Sequence, residues 1–244
     1  LTKSITLDCG GTFGSTLASG SNGIVVNGAG IVVNLRNLSI NGGTPTVSGL
    51  NGIRYLQGAS LDVENVTIFN FTAGSPNGFG IVVAPSAGTN RVRIANSTIT
   101  NNGTATSGAA IRLAPTGTAA VQLIVEEVSM ARNFRGIDVD ATGTTGTTSV
   151  TATDSLVFGS TETGIQATTG ATALNVMLFG MTIANNANGF VTNGAGAQGR
   201  IGSSTLTGNS FAFSAQGGSL IRSYGNNQVD LNTNDAPRPL TPLE

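Results

Sequence analysis

The chain has no histidine and no tryptophan, and one cysteine in 244 residues. Without histidine there is no Ser-His-Asp or Cys-His arrangement, no imidazole general base and no histidine zinc ligation. Cys9 alone excludes an internal disulfide and a thiolate metal cluster. It reads either as a buried small hydrophobe or as half of a bridge to a partner outside this sequence. Charged residues make up only 9 % and the formal net charge is −1, so there is no electrostatic case for nucleic acid or anionic lipid. No apolar run approaches the roughly 20 residues that a membrane-crossing helix needs. Aromatic residues are scarce at 5 %, which leaves few rings for sugar stacking.

What the chain has in abundance is a repeat. A Gly- or Ala-led apolar pair recurs about every 28 residues: Gly23-Ile24, Gly52-Ile53, Gly80-Ile81, Ala110-Ile111, Gly136-Ile137, Gly164-Ile165 and Gly189-Phe190. A second landmark accompanies it, as in Asn37-Leu-Ser-Ile40, Asn65-Val-Thr-Ile68, Asn96-Ser-Thr-Ile99 and Glu127-Val-Ser-Met130. Four and two residues before each landmark stand apolar pairs such as Val33/Leu35, Leu61/Val63 and Val92/Ile94. That alternation marks a strand with one buried face. Past the landmark the parity shifts by one, which requires a bend, and asparagine suits a bend because it tolerates the left-handed conformation. A third strand follows each Gly-Ile pair.

Three short strands per coil, stacked in parallel, predict an all-β right-handed parallel β-helix of about eight coils over residues 1–229. Loop insertions are expected at 42–49, 73–77, 103–107 and 141–148. Residues 230–244 carry Pro237, Pro239 and Pro242 and lack alternation, so they read as a tail, a possible cap ending in the cloning remnant Leu243-Glu244. A start at Leu1 rather than Met leads us to expect a segment of a longer protein. Gly194-Ala-Gly-Ala-Gln-Gly199 spells a dinucleotide fingerprint but is followed by a strand pattern instead of a helix, so a turn between coils is the better account.

The landmarks, the Gly-Ile pairs and the opening Ser4-Ile-Thr-Leu-Asp-Cys-Gly10 together resemble the pectate-lyase-like right-handed β-helix superfamily, in particular its exported bacterial repeat proteins. The resemblance implies a secreted, periplasmic or cell-surface location. Its lyases hold calcium with outward carboxylates and use an arginine as base; its hydrolases place an acid and a base on the outer wall. Here Asp138 and Asp140, at i and i+2 of one strand, leave the same face, and Arg112 holds the matching position one coil earlier. Arg112, Asp138 and Asp140 are therefore the candidate catalytic residues, and Asp138 and Asp140 the candidate calcium ligands. The same pattern also describes an ordinary cross-strand ion pair worth roughly 0.2–1 kcal/mol, and that reading outweighs the catalytic one. Arg36 with Glu64 and Asp62 with Arg93 pair by the same register argument.

The expected function is a non-catalytic secreted or cell-surface scaffold that contacts glycans along its polar side and needs no cofactor. The alternative is a polysaccharide lyase or glycoside hydrolase acting on the Asp138/Asp140 face, with calcium in the lyase case. Polysaccharide is the expected partner, with self-association through the coil ends as a third possibility; nucleic acid and membrane insertion are not expected.

Overall fold

The computed structural model describes residues 1–235. It is an all-β right-handed solenoid of about eight turns, built from three parallel sheets of nine, nine and eight strands, with no helix among the described residues. Nine strands at roughly 4.8 Å spacing make a wall about 38 Å long. Each coil runs from a longer strand in the first sheet (Ser60–Glu64, Thr89–Ala95, Ala120–Glu126) to a three- or four-residue strand in the second (Thr67–Phe69, Thr98–Thr100, Ser129–Ala131). It then crosses to the third (Phe79–Val83, Ala109–Leu113, Arg135–Asp140). Leu61, Val92, Leu123, Val150 and Val176 stack in register, as do Val63, Ile94, Val125, Ala152 and Leu178. All ten are buried and form aliphatic columns down the lumen.

The bends explain the landmarks. Asn37, Asn65, Asn96, Glu127, Asp154 and Ser203 all have φ between 48° and 57°, and Gly180 has 65°. One left-handed residue per coil turns the chain between the first and second sheets. The amides also bond along the axis: Asn65 Nδ2 donates to Asn37 Oδ1 at 2.5 Å, and Asn37 Nδ2 to Asp8 Oδ1 at 2.6 Å.

A second left-handed column lies between the second and third sheets, at Asn70, Asn101, Arg132, Gly159, Asn185, Gly208 and Leu231. The residue after it points inward and carries a buried ladder. Asn102 Oδ1 accepts from Phe71 N, Asn133 Oδ1 from Asn102 N, Asn209 Oδ1 from Asn186 N and Asn232 Oδ1 from Asn209 N, at 2.9–3.0 Å. The main asparagine stack is thus this inner one. It satisfies backbone donors that a bend would otherwise bury without partners.

The position after each landmark is also more varied than an apolar column. Val66, Val128 and Met181 alternate along the axis with Ser97, Ser155 and Ser204, all buried. Each serine Oγ accepts the N–H of the apolar residue one coil earlier, at 3.0–3.1 Å.

The glycine of each Gly-Ile pair marks a close approach. A Cβ on Gly52 would lie 2.4 Å from the Gly80 carbonyl oxygen, and one on Gly136 would lie 2.4 Å from both the Gly164 oxygen and Val157 Cγ1. Neither residue has a positive φ, so what requires glycine there is the neighbouring coil and not the backbone conformation.

The 42–49 insertion folds into a small antiparallel pair, Gly43–Thr44 with Val47–Ser48. Gly194 sits at φ 95° and Ala197–Gly202 is a strand of the first sheet, so the glycine-rich motif opens no helix. At the far end, strand Gln228–Asp230 joins the second sheet, Asn232 extends the inner ladder and Asn234 bridges to Phe211. Pro237, Pro239, Pro242 and Leu243-Glu244 lie outside the described residues.

Candidate functional site

The outward column of the third sheet runs Arg54, Val82, Arg112, Asp138, Gln166 in strict register. This brings together the three residues singled out from the sequence. Asp138 Oδ2 accepts from Nη1 of Arg112, and Arg112 Nη2 donates to Asp140 Oδ2 at 3.0 Å. The Asp138 side chain is only 4 % exposed, against 36 % for Asp140.

Two further residues complete the cluster. Arg135 Nη1 donates to the same Asp138 oxygen at 3.2 Å, and Arg135 Nε donates to Glu162 Oε2. Strict alternation would put Arg135 on the inner face with Ile137. The pairing passes from Arg135↔Thr163 to Ile137↔Ile165 with the register kept, and the Arg135 guanidinium nonetheless reaches the outer carboxylates of Asp138 and Glu162. Each guanidinium is backed by a ring: Arg112 lies 5.7 Å from the centroid of Phe79 and Arg135 5.4 Å from that of Phe134.

Burial pushes the Asp140 carboxyl upward. Hydrogen bonds from Thr142 Oγ1 at 2.6 Å and Thr142 N at 3.2 Å, with Arg112, outweigh that and hold it below its ordinary 3.8. Burial likewise works against the Arg135 charge, but the bond to Glu162 and the Asp138 carboxylate raise it above its ordinary value.

Arg112, Arg135 and Asp138 of this cluster line one end of a groove of about 610 Å³. Its floor is the outer face of the third sheet, and its wall is formed by the 75–77 and 106–108 segments, which overlap the insertions expected at 73–77 and 103–107. Exposed Arg54 stands at the other end.

Chemically, the cluster is self-satisfied. An arginine acting as base must aim a nitrogen at substrate, whereas both terminal nitrogens of Arg112 face protein carboxylates. A calcium ion takes six to eight oxygen ligands; Asp138 and Asp140 instead already share the Arg112 cation. Among the described residues no three acidic or thiol groups converge in a metal-holding arrangement. The sequence-based pairs on the first sheet form a longer chain of the same kind, with Arg36 bridging Glu64 and Asp62 at 3.3 and 3.4 Å and Arg93 bridging Asp62 and Glu126 at 3.1 and 2.7 Å.

Fold and site together define a parallel β-helix with an arginine–carboxylate network at the end of an open groove. Comparison with known family models, with curated proteins and with solved structures finds no match to this chain.

Proposed function

We propose that the protein is a non-catalytic β-helical scaffold, secreted or displayed at the cell surface, that contacts glycans along its uncharged polar flank. The double clamp on Asp138 carries this reading. A carboxylate held by two arginines, each of them bound to a further carboxylate, has the composition of a structural ion-pair network and lacks the free acid, base or open metal position that a reaction needs. The flank supports the glycan contact: the outward positions of the second sheet, Ser39, Thr67, Thr98, Ser129, Leu156, Thr182 and Thr205, bear no charge and, Leu156 apart, present hydroxyls. The pectate-lyase-like resemblance supplies the exported location.

A second reading has the groove in its favour. It is a polysaccharide lyase or hydrolase that uses Arg112, Asp138 and Asp140, with calcium in the lyase case. One assay separates the two: incubation with acidic and neutral polysaccharides, with and without millimolar calcium, followed by unsaturated products and new reducing ends. The scaffold reading expects no turnover, together with retention of the protein in a glycan-loaded native gel. Turnover abolished in Asp138→Asn would overturn it.

A further inference from the structure

The first sheet carries two cations that neither functional reading uses. Between Glu162 and Asp230 the only charged side chains are Arg200 and Arg222. They stand directly opposite one another in adjacent strands, at roughly 4.8 Å. Among the described residues neither has an ion pair or a hydrogen-bonded side-chain partner. Arg93, in the same outward column, is treated differently: it lies against Asp62 and is held by Asp62 and Glu126. By register the nearest carboxylate on the strands of this face is Glu126, three coils before Arg200 and about 14 Å away. That exceeds the screening length of roughly 8–10 Å. Like charges directly opposite one another destabilise a sheet, so the fold keeps this doubly positive spot at a cost that a bound anion would remove.

Two aromatic rings adjoin the pair. Leu178, Ile201, Ile221 and Ser223 are buried, so alternation sets Phe179, Gly202 and Tyr224 on the outer face beside the two arginines. A Cβ on Gly202 would lie 3.0 Å from Tyr224 Cδ2 and 3.5 Å from Phe179 Cδ2, so both rings flank that glycine. Phe179 is 45 % exposed. Rings and guanidiniums stem from positions two residues apart along the strands, about 7 Å. We propose that this surface binds a phosphate monoester carried on a ring. The phosphate lies between Arg200 and Arg222, and the ring rests against Phe179 and Tyr224.

Charge and size select this ligand. A phosphate monoester carries about −1.5 to −2 at neutral pH, which matches two guanidiniums. A carboxylate or a sulfate monoester brings a single charge and leaves one arginine uncompensated. Guanidinium forks also fit phosphate oxygens bidentately. A polyanion finds no track here, because the column continues from Arg200 to Met177 and Thr151 without charge. The rings favour a phosphate borne on a flat or apolar body over phosphate alone. The site lies on a different sheet from the hydroxyl flank and from the groove. The proposal therefore goes beyond the scaffold reading and does not depend on it: phosphate binding and polysaccharide turnover are read by different assays, and each can fail alone.

The test is calorimetric titration of the full chain, at low salt and roughly pH 7.5 so that the phosphate is doubly ionised. The probes are phenyl phosphate, glucose 6-phosphate, the sulfate ester of each, and inorganic phosphate. The tighter ring phosphate, which names an aryl or a sugar ligand, is expected to bind about tenfold better than its sulfate and about tenfold better than inorganic phosphate. Arg200→Gln and Arg222→Gln are each expected to abolish the preference for phosphate over sulfate, without lowering the melting temperature because each relieves the repulsion. Phe179→Ala is expected to bring the ring phosphate down to the level of inorganic phosphate. The proposal is overturned by no binding of either ring phosphate at millimolar concentration, by equal binding of phosphate and sulfate esters, or by binding that survives unchanged in Arg222→Gln. It is overturned as well if inorganic phosphate binds as tightly as the ring phosphates, or if an oligogalacturonate displaces them and binds more tightly through the same two arginines.

Discussion

Arg135 and Arg112, from strands in adjacent coils, converge on a single oxygen of Asp138, with Arg135 Nη1 3.2 Å away. The anion is nearly enclosed, while each arginine stays about a fifth exposed. Removing a buried, doubly paired carboxylate leaves two guanidiniums crowded together without their shared counter-charge. Asp138→Ala is therefore expected to destabilise the fold by about 3 kcal/mol, toward the lower end for a broken buried pair. At roughly 2–4 °C per kcal/mol for a chain of this size, the melting temperature is expected to fall by about 6–12 °C. A change of under about 2 °C by calorimetry would contradict the structural role.

The inner asparagine ladder has one defect. Ser160 stands where neighbouring coils have Asn133 and Asn186, and its Oγ is buried without a hydrogen-bond partner. Ser160 N still donates to Asn186 Oδ1 at 2.8 Å, but its own side chain is too short to receive the Asn133 N–H as the other rungs do. Ser160→Asn is expected to restore the rung and add about 1 kcal/mol, an increase of about 2–4 °C in melting temperature. A decrease would show that the cavity cannot hold the amide.

The glycine of the Gly-Ile pair gives a steric prediction. A Cβ at position 136 meets the Gly164 carbonyl oxygen and Val157 Cγ1, both at 2.4 Å, so the coils must separate locally to admit it. Gly136→Ala is expected to cost about 1–3 kcal/mol in urea unfolding. A control at Gly170, where a Cβ meets nothing within 4 Å, should cost much less. Ala110, which holds the equivalent place in its own coil, shows that adjacent coils can adjust where the whole environment has adapted.

Stability is expected to fall at both ends of the pH range. The carboxyls of Asp140 and Asp8 are held below their ordinary value of 3.8, Asp8 chiefly by the hydrogen bond from Asn37 and then by that from Gly10 N. Their contribution is complete above the unfolded value near 3.8 and disappears as pH falls through the lower folded values. At the alkaline end, burial raises Tyr55 to about 12 from 10, and its hydroxyl donates to Asn90 Oδ1 at 3.0 Å. The folded state holds that proton more tightly than the unfolded one, so stability is full below pH 10 and falls as pH rises toward about 12. Melting temperature against pH should show both limbs. Tyr55→Phe should flatten the alkaline limb and Asp140→Asn the acid one; an unchanged profile in both variants would refute the assignment.

Much of this architecture is legible in sequence because a solenoid writes its geometry once per coil. Alternation before the landmark names the lumen columns, and the landmark itself names the left-handed bend. The Gly-Ile pair names the close approach between coils. The inner ladder is harder to see, since Asn102 stands beside a loop-like Gly-Thr and Asn133 between Arg132 and Phe134, outside the alternating segments. Its signal is present even so, three residues after Ile99, Met130, Ile183 and Leu206. The Arg112–Asp138–Asp140 contacts follow from register alone. Arg135 and Glu162 do not, because alternation assigns Arg135 to the face of Ile137, whereas its guanidinium reaches the outer carboxylates. The groove escapes the sequence for a related reason: its wall is made by insertions outside the repeat, whose length is readable but whose path is not.

The central claim is that Asp138 is the centre of a structural ion network. The most direct measurement is a double-mutant cycle in urea unfolding, comparing Asp138→Asn, Arg135→Met and the pair with the parent chain. The network predicts a coupling of at least about 1.5 kcal/mol between the two positions, with the double variant more stable than the sum of the single losses implies. Strict additivity, with both single variants near the parent's stability, would contradict it and return Asp138 to the list of groups free for chemistry.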